Sequence, residues 1–360
     1  MTEPIFIVGC PRSGTTMLAA MIGSHSDIAV GPESQFFSKL SPQTLSRAVN
    51  DPEWPIRAVE TLLGLMLAEQ SVVDLFGLNK NILTTYLKDQ TPSVSAMLEA
   101  LTQNFADARG KSRWAEKTPN HILAVDQLRT LWPRARVIRI LRDPRDAALS
   151  TCRLPTFSSS FLANLYLWRR WQDRAVMFFK HDPLSITVKY EDIVKEPEKI
   201  LRSLCTFLNV DFVEDMLNFA ATASDVSSEA ETWKRSVASG LTEDRMFVWK
   251  RELPEALRPV ANDVVFEYLR EFNYDHKACS RISHKVFRLS PEFVERHEAY
   301  LINLHKGDER WLPSDDVSEA DYLFENPRYS RLRNPVYLFQ KYRDLSWLKK
   351  RVECTELSRV

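Results

Sequence analysis

The sequence predicts an α/β protein in which a parallel β-sheet is flanked by helices on both faces, with helical insertions and a C-terminal extension. The first observation is an apolar run, residues 5–9, that leads through a glycine-containing turn into an amphipathic segment. The second is another apolar run, residues 137–141, that is followed by a helix-start pattern. The third is size, because 360 residues of which 44% are hydrophobic suffice for one large α/β domain and an appendage.

The first strand runs directly into a turn built from small and hydroxylated residues. Residues 9–16 read Gly-Cys-Pro-Arg-Ser-Gly-Thr-Thr, and residues 17–24 read as the helix that follows. A turn of this kind directs successive backbone N–H groups, together with the positive end of the helix, at one point in space. We therefore expect an anionic group to bind there.

The spacing of Gly9 and Gly14 fits the P-loop of nucleotide-binding proteins, so the sheet is predicted to be of the P-loop type. Thr15 stands where a phosphoryl-transferring P-loop has its lysine, and Arg12 is the cation of this loop. The loop can bind the 5′ anion of a nucleotide through its backbone, Arg12 and the hydroxyls of Thr15 and Thr16. It is not built around a triphosphate.

A short second strand, residues 28–30, precedes a helical insert of about residues 42–110. Residues 50–55 form a clear break within this insert. We expect the insert to cover the cleft.

A second anion site is predicted after residues 137–141. Arg142 ends that strand, Asp143 can cap the next helix and Pro144 suits its first position. Ser150 lies two helical turns further on, on the same face as Pro144, so the Arg142 guanidinium and this hydroxyl can bind one phosphate. Taken alone, an arginine at the end of a strand is more often a surface ion-pair partner than a phosphate ligand.

Residues 161–180 predict a long amphipathic helix whose aromatic side chains, Trp168, Trp171 and Phe178, are expected in the core rather than at an acceptor site. Three more helical segments follow at residues 197–208, 212–221 and 255–273. We divide the chain into a P-loop domain, 1–275, and a C-terminal extension, 276–360, that packs on it.

The two anion sites together resemble those of the sulfotransferases that use 3′-phosphoadenosine 5′-phosphosulfate (PAPS). The resemblance covers about residues 4–275. It implies that the loop binds the 5′-phosphosulfate and that an Arg–Ser pair binds the 3′-phosphate. The implied nucleotide-binding residues are Pro11, Arg12, Ser13, Gly14, Thr15, Thr16, Arg142 and Ser150. Residues 186–192 resemble the family's later strand that ends in Tyr-Glu, which places Tyr190 near the nucleotide.

Two further stretches resemble the heparan-sulfate and protein-tyrosine branches of the family more than the small-phenol branch. Residues 31–37, Gly-Pro-Glu-Ser-Gln-Phe-Phe, resemble a segment whose glutamate is the general base, so Glu33 inherits that role. Residues 116–119, Glu-Lys-Thr-Pro, resemble a segment whose lysine approaches the transferring sulfonate, so Lys117 inherits that role.

The chemistry of sulfonate transfer accounts for these residue types. The acceptor hydroxyl must lose a proton as the new S–O bond forms, and the Glu33 carboxylate can accept it. The departing oxygen of the nucleotide gains negative charge, which Lys117, Arg12 and the loop N–H groups can stabilise. No metal is required, because sulfonate carries a single negative charge.

Two further candidates concern the general base and the closure of the 3′-phosphate site. His121 is a competing base, but it follows Lys117 by four residues where the phenol branch has a histidine two residues after its lysine. We expect His121 to lie near a helix start, with a supporting or acceptor contact. The resemblance is weaker within residues 231–250, where the family carries a loop whose Lys or Arg side chains close over the 3′-phosphate; the resemblance assigns that role to Lys234 and Arg235, although their spacing is not diagnostic.

Composition restricts partners and compartment. Lys and Arg total 48 against 48 for Asp and Glu, so binding to nucleic acid or an acidic membrane is not indicated. The five cysteines are odd in number and widely spaced, which fits a reducing compartment and predicts neither disulfides nor zinc. No apolar run reaches membrane length and the first strand begins almost at Met1, so we expect a cytoplasmic protein.

The function that follows is sulfonate transfer from PAPS to a hydroxyl acceptor, with PAP as the second product. A P-loop kinase or NTPase is the alternative enzyme, and a catalytically inactive nucleotide-binding regulator is the alternative outside enzymes. The acceptor stays open among carbohydrate, lipid, peptide tyrosine and small natural product. The oligomeric state is not indicated by the sequence.

Overall fold

The computed structural model describes residues 3–67, 69–154, 157, 161–222, 225–226, 241–253, 255 and 258–276. Lys234 and Arg235 lie outside the described residues, as does nearly all of the predicted extension, 277–360. Their predicted roles therefore stay predictions.

The described residues form two compact units. Residues 3–142 and 174–244 belong to the first, and residues 143–173 and 245–276 belong to the second. The first unit contains the whole central sheet and every predicted site residue that is described, except Ser150.

Seven strands occur among the described residues. In chain order they are β1 Ile5–Gly9, β2 Ile28–Val30, β3 Met66–Leu67, β4 Gln70–Ser71, β5 Arg113–Lys117, β6 Arg136–Leu141 and β7 Ser185–Lys189. Five of them form one sheet in the order β2-β5-β1-β6-β7, and every pairing in it is parallel. This confirms the predicted α/β fold.

The central strand β1 shows why the sheet lies inside the protein. All five of its residues are buried, and successive side chains of a strand point to opposite faces, so both faces are covered. The ring of Phe6 packs edge-on against Trp114, with ring centroids 5.7 Å apart. A Cβ on Gly9 would lie 2.7 Å from the carbonyl oxygen of Ile140, which explains glycine at the end of the strand.

The helices of the first unit account for most of the chain between strands. They are α1 Thr15–Gly23, α2 Phe36–Lys39, α3 Pro42–Val49, α4 Ile56–Leu63, α5 Val72–Leu75, α6 Lys80–Lys88, α7 Val94–Asp107, α8 Val125–Leu131, α11 Tyr190–Lys195 and α12 Pro197–Leu208. The helix α10, Phe161–His181, begins in the second unit and ends in the first. The predicted insert is helical as expected, with the break between α3 and α4 where it was predicted.

Three details differ from the sequence expectation. The insert also contains the short antiparallel pair β3–β4, which is too brief to give a period-two pattern. Residues 119–124 form a 3₁₀ helix before α8. The helix predicted at 212–221 is instead two 3₁₀ turns, Glu214–Met216 and Phe219–Thr222, because the segment closes i→i+3 bonds such as Met216 N–H to the Val213 carbonyl.

The second unit contains α9 Pro144–Thr151, α13 Trp249–Glu252, α14 Arg258–Val264 and α15 Phe266–Glu271. Asp143 caps α9 by accepting from the Arg145 N–H, and Pro144 takes the first helical position, as predicted. Arg145 is fully buried, donates twice to the Asp143 carboxylate and lies over the Trp249 ring at 3.6 Å. In α10, Trp168 and Trp171 are buried, which confirms their predicted place in the core.

Candidate active site

The predicted site residues of the first unit follow the carboxyl ends of the five parallel strands. One after another, the strands lead into the loop 9–16 after β1, Glu33 after β2, Lys117 at the end of β5, Arg142 after β6 and Tyr190 after β7. Carboxyl ends of parallel strands meet at one edge of a sheet, which is where ligands of open α/β sheets bind. The topology therefore gathers these residues from five distant stretches of sequence.

The loop after β1 has a backbone that only particular residues tolerate. Gly14 is the N-cap of α1 with φ +97°, and no side chain caps the helix. A Cβ on Gly14 would lie 2.7 Å from Cδ2 of Tyr190, so both the conformation and the contact require glycine. The first N–H groups of α1 have no acceptor within the helix and are available to an anion.

Ser13 gives a second indication of a ligand at this loop. Its backbone N–H donates to the Cys10 carbonyl, which closes the turn at 3.2 Å. Its hydroxyl is buried and has no hydrogen-bond partner within the part of the chain that the structure describes. Because a buried hydroxyl normally has a partner, the loop fits an anionic group such as a phosphosulfate.

Arg142 packs against the same loop. Its Nη1 donates to the carbonyl oxygen of Arg12 at 3.0 Å, and its guanidinium carbon lies 4.8 Å from the centre of the Tyr190 ring. Only 8% of its surface is exposed. Ser150 lies in α9 of the second unit, and its pairing with Arg142 on one phosphate stays a prediction.

Glu33 and Lys117 are in direct contact. Lys117 Nζ donates to Glu33 Oε1 at 2.9 Å, and Gln35 Nε2 donates to Glu33 Oε2 at 2.7 Å. Lys117 is fully buried and Glu33 is 6% exposed. The predicted base and the predicted charge-stabilising lysine therefore form one buried salt bridge.

Beside this pair lies a fully buried carboxylate, Glu116. Its Oε1 accepts from the Ser34 hydroxyl at 2.7 Å and from the Thr118 hydroxyl at 2.6 Å, and its Oε2 lies 2.8 Å from His121 Nδ1. The other ring nitrogen of His121, Nε2, accepts from the backbone N–H of Phe37 at 3.2 Å. Both contacts are satisfied only by a neutral imidazole that carries its proton on Nδ1.

This environment determines the ionisation of Glu116. Burial raises the pKa of the carboxyl, but the hydrogen bonds that it accepts from His121, Thr118 and Ser34 favour the ionised form, and the pKa lies below its ordinary value of 4.5. Glu116 is thus a carboxylate that organises its neighbours. His121 has both ring nitrogens engaged inside the protein.

Sequence reasoning missed Gln35 and the role of Glu116. Gln35 has φ +52° at the N-cap of α2, a conformation that no residue pattern indicates. Glu116 stood in the quoted motif, but its partners are residues of the β2–α2 segment, and their proximity depends on the pairing of β2 with β5.

The described residues contain neither a metal-ligand cluster nor a helix that could span a membrane. Within them, no group of three or more His, Cys, Asp or Glu side chains is arranged to hold a metal ion. Of the helices that the structure describes, none is long and apolar enough to cross a membrane.

Comparisons with known proteins agree with the geometry. A family model described as "Sulfotransferase family" matches residues 4–215. Protein-tyrosine sulfotransferase 1 of Danio rerio is 24% identical over 286 residues, covering 76% of this chain and 73% of that protein. An uncharacterized protein of Aquifex aeolicus is 24% identical over 267 residues, which cover 69% of this chain and 30% of the relative.

Solved structures show the same fold. The sulfotransferase domain from the curacin biosynthetic pathway superimposes with a TM-score of 0.55 at 20% identity, covering 76% of this chain and 99% of the domain. The sulfotransferase domain from the Synechococcus PCC 7002 olefin synthase gives a TM-score of 0.54 at 21% identity, covering 76% of this chain and 96% of that domain.

Proposed function

The chain belongs to the sulfotransferase family, and from that premise we propose that it transfers the sulfonate group of PAPS to a hydroxyl acceptor. The observation that carries this proposal is the buried Glu33–Lys117 salt bridge at the sheet edge that also holds the anion-binding loop. A proton acceptor and a cation thus lie together at the carboxyl ends of the strands.

The donor is proposed to bind between the loop and Arg142. The N–H groups that begin α1, the Ser13 hydroxyl, and the Thr15 and Thr16 hydroxyls would contact the 5′-phosphosulfate, with Pro11 and Gly14 shaping the turn. Arg142 would contact the 3′-phosphate and Tyr190 would line the nucleotide site. Ser150, Lys234 and Arg235 enter the proposal from the sequence alone.

The transfer itself needs one proton acceptor and a stabilised leaving group. Glu33 accepts the proton of the acceptor hydroxyl as its oxygen forms the new S–O bond. The S–O bond to the nucleotide breaks in the same in-line displacement, and PAP carries the electron pair away. Lys117 and Arg12, with the loop N–H groups, stabilise the negative charge on the departing oxygen.

The acceptor is proposed to be a hydroxyl-bearing molecule. Peptide tyrosine, carbohydrate, lipid alcohol and small natural product all satisfy the proposed chemistry. The cytoplasm is the proposed compartment, on the basis of the odd, widely spaced cysteines.

The proposal is tested with [³⁵S]PAPS. The protein is incubated separately with a tyrosyl peptide, an oligosaccharide, a long-chain alcohol and an extract of the source organism, and labelled products are identified by mass analysis. We expect one class of acceptor to become labelled. Absence of label in all four, with hydrolysis of [γ-³²P]ATP in the presence of Mg²⁺, would favour the kinase or NTPase alternative.

A further inference from the structure

Buried hydrogen bonds attach the residues that follow Glu33 to residues at and just after the end of β5. The Ser34 hydroxyl donates to Glu116, the Gln35 N–H donates to the Thr118 hydroxyl at 3.2 Å, and the Phe37 N–H donates to His121. Every one of these donors and acceptors belongs to a residue no more than 6% exposed. The attachment therefore excludes water and joins two segments that are 82 to 84 residues apart.

Two residues connect these bonds into one network. Glu116 accepts from Ser34, Thr118 and His121, and His121 in turn accepts from Phe37. The network thus connects Ser34 to Phe37 through Glu116 and His121.

From this arrangement we propose that Glu116 and His121 are positioning residues that hold the Glu33 carboxylate opposite Lys117. Neighbouring residues of β5, Glu116 and Lys117, contact neighbouring residues after β2, Ser34 and Glu33. Lys117 contacts the carboxylate itself, and Glu116 with His121 holds two residues that follow it, Ser34 and Phe37. The inference rests on the proposed function in one respect, that Glu33 is the base.

The geometry also distinguishes a positioning role from a proton-transfer role for His121. The Nε2 lone pair, which a base would use, accepts the Phe37 N–H. Removal of this contact is expected to leave the Glu33 segment free to shift. Misplacement of a reacting group by about 1 Å can reduce turnover about 100-fold, so small shifts of this segment have measurable effects.

Three substitutions separate the two contacts of His121. In His121→Gln, the amide oxygen can replace Nε2 as the acceptor for Phe37. In His121→Asn, the shorter amide can replace Nδ1 toward Glu116 but does not reach Phe37. His121→Phe keeps a planar ring and removes both contacts.

We expect graded rescue of turnover. With [³⁵S]PAPS and the acceptor labelled by wild type, His121→Phe and His121→Asn should lower kcat by about tenfold or more, and His121→Gln should stay within about threefold of wild type. The KM for PAPS and the Kd for PAP should change less than about twofold in all three, because the anion-binding loop is untouched. Turnover of His121→Phe within twofold of wild type would overturn the inference, as would equal rescue by Asn and Gln.

Hydrogen exchange supplies a readout that does not depend on activity. Amide exchange in the peptide spanning residues 33–37 should be faster in His121→Phe and His121→Asn and close to wild type in His121→Gln. Ser34→Ala removes the hydrogen bond of the Ser34 hydroxyl to Glu116 and should also accelerate exchange there, which keeps the test valid if His121→Phe does not fold. Unchanged exchange in His121→Asn and Ser34→Ala would overturn the positioning role, whereas a wild type that transfers no label would overturn only the proposed function.

Discussion

Glu33 Oε1 and Lys117 Nζ lie 2.9 Å apart in a buried salt bridge although 84 residues separate them in the chain. The pair forms because β2 and β5 are neighbours in the parallel sheet and both residues lie at the carboxyl ends of these strands. Each charge compensates the other inside the protein, because an unpaired buried charge is strongly destabilising. The same contact places a proton acceptor beside a cation, which is what the proposed transfer needs.

Arg142 should confer selectivity for the 3′-phosphate. We expect wild type to bind PAP more tightly than 5′-AMP by about 1.5–3 kcal/mol, the contribution of a charge-assisted contact. Arg142→Ala should lose most of this preference, because the substitution should weaken the binding of PAP more than the binding of 5′-AMP. Calorimetry measures the affinities of wild type and variant for both ligands. A variant that keeps the preference for PAP would show that Arg142 is not part of the nucleotide site.

Gly14 should be intolerant of a side chain. Gly14→Ala adds a Cβ that would lie 2.7 Å from Tyr190 at φ +97°, so we expect PAP affinity to fall at least tenfold and Tm to fall as well. Gly110→Ala is the matched control, because Gly110 has φ +64° but no atom within 4 Å of an added Cβ. Gly110→Ala should lower the free energy of unfolding by about 1–2 kcal/mol and leave the affinity for PAP unchanged. Similar losses of affinity in both variants would point to a general backbone effect.

Glu116 should contribute stability that depends on pH. Its folded pKa lies below 4.5, so the unfolded chain binds more protons near that pH, and the contribution is present above pH 4.5 and lost as pH falls through the folded pKa. Glu116→Gln is expected to lower the free energy of unfolding by about 1.5–3 kcal/mol at pH 7 and by less in acid.

Urea unfolding at pH 7 and at pH 3.5 measures this difference. Glu53→Gln, at an exposed position, is the control and should show little effect at either pH. A difference between wild type and Glu116→Gln that does not shrink in acid would contradict the assigned ionisation.

Several elements of this fold are determined by short stretches of sequence, and the predictions made from those stretches are confirmed. The strand 5–9, the turn after it and the Asp143 cap with Pro144 depend on neighbours within a few residues, so local patterns predict them. Glu33 and Lys117 entered as predicted site residues through a motif resemblance, and their roles stay predictions. Their contact with each other did not follow from either motif.

The remaining features depend on tertiary contacts. The partnership of His121 with Phe37 and Glu116 requires the alignment of β2 with β5, which no window of sequence contains. The left-handed backbone of Gln35 is held by the same alignment, through its N–H bond to Thr118.

Turnover should not require a divalent metal. The proposed stabilisation comes from Lys117, Arg12 and loop N–H groups, so EDTA should leave the rate of sulfonate transfer within about twofold of the untreated rate. Loss of transfer on chelation that Mg²⁺ restores would favour the kinase or NTPase alternative.

Glu33→Gln tests the central claim most directly. The substitution keeps the shape of the side chain and removes the proton acceptor, and Gln35 can turn its amide to accept from the new donor. With [³⁵S]PAPS and the acceptor labelled by wild type, we predict that kcat falls by about 10²–10⁴ while the Kd for PAP is retained. Glu53→Gln, which removes an exposed carboxylate, should retain wild-type kcat. A folded Glu33→Gln variant with a kcat within about threefold of wild type would contradict the account, because a positioned base contributes far more than that.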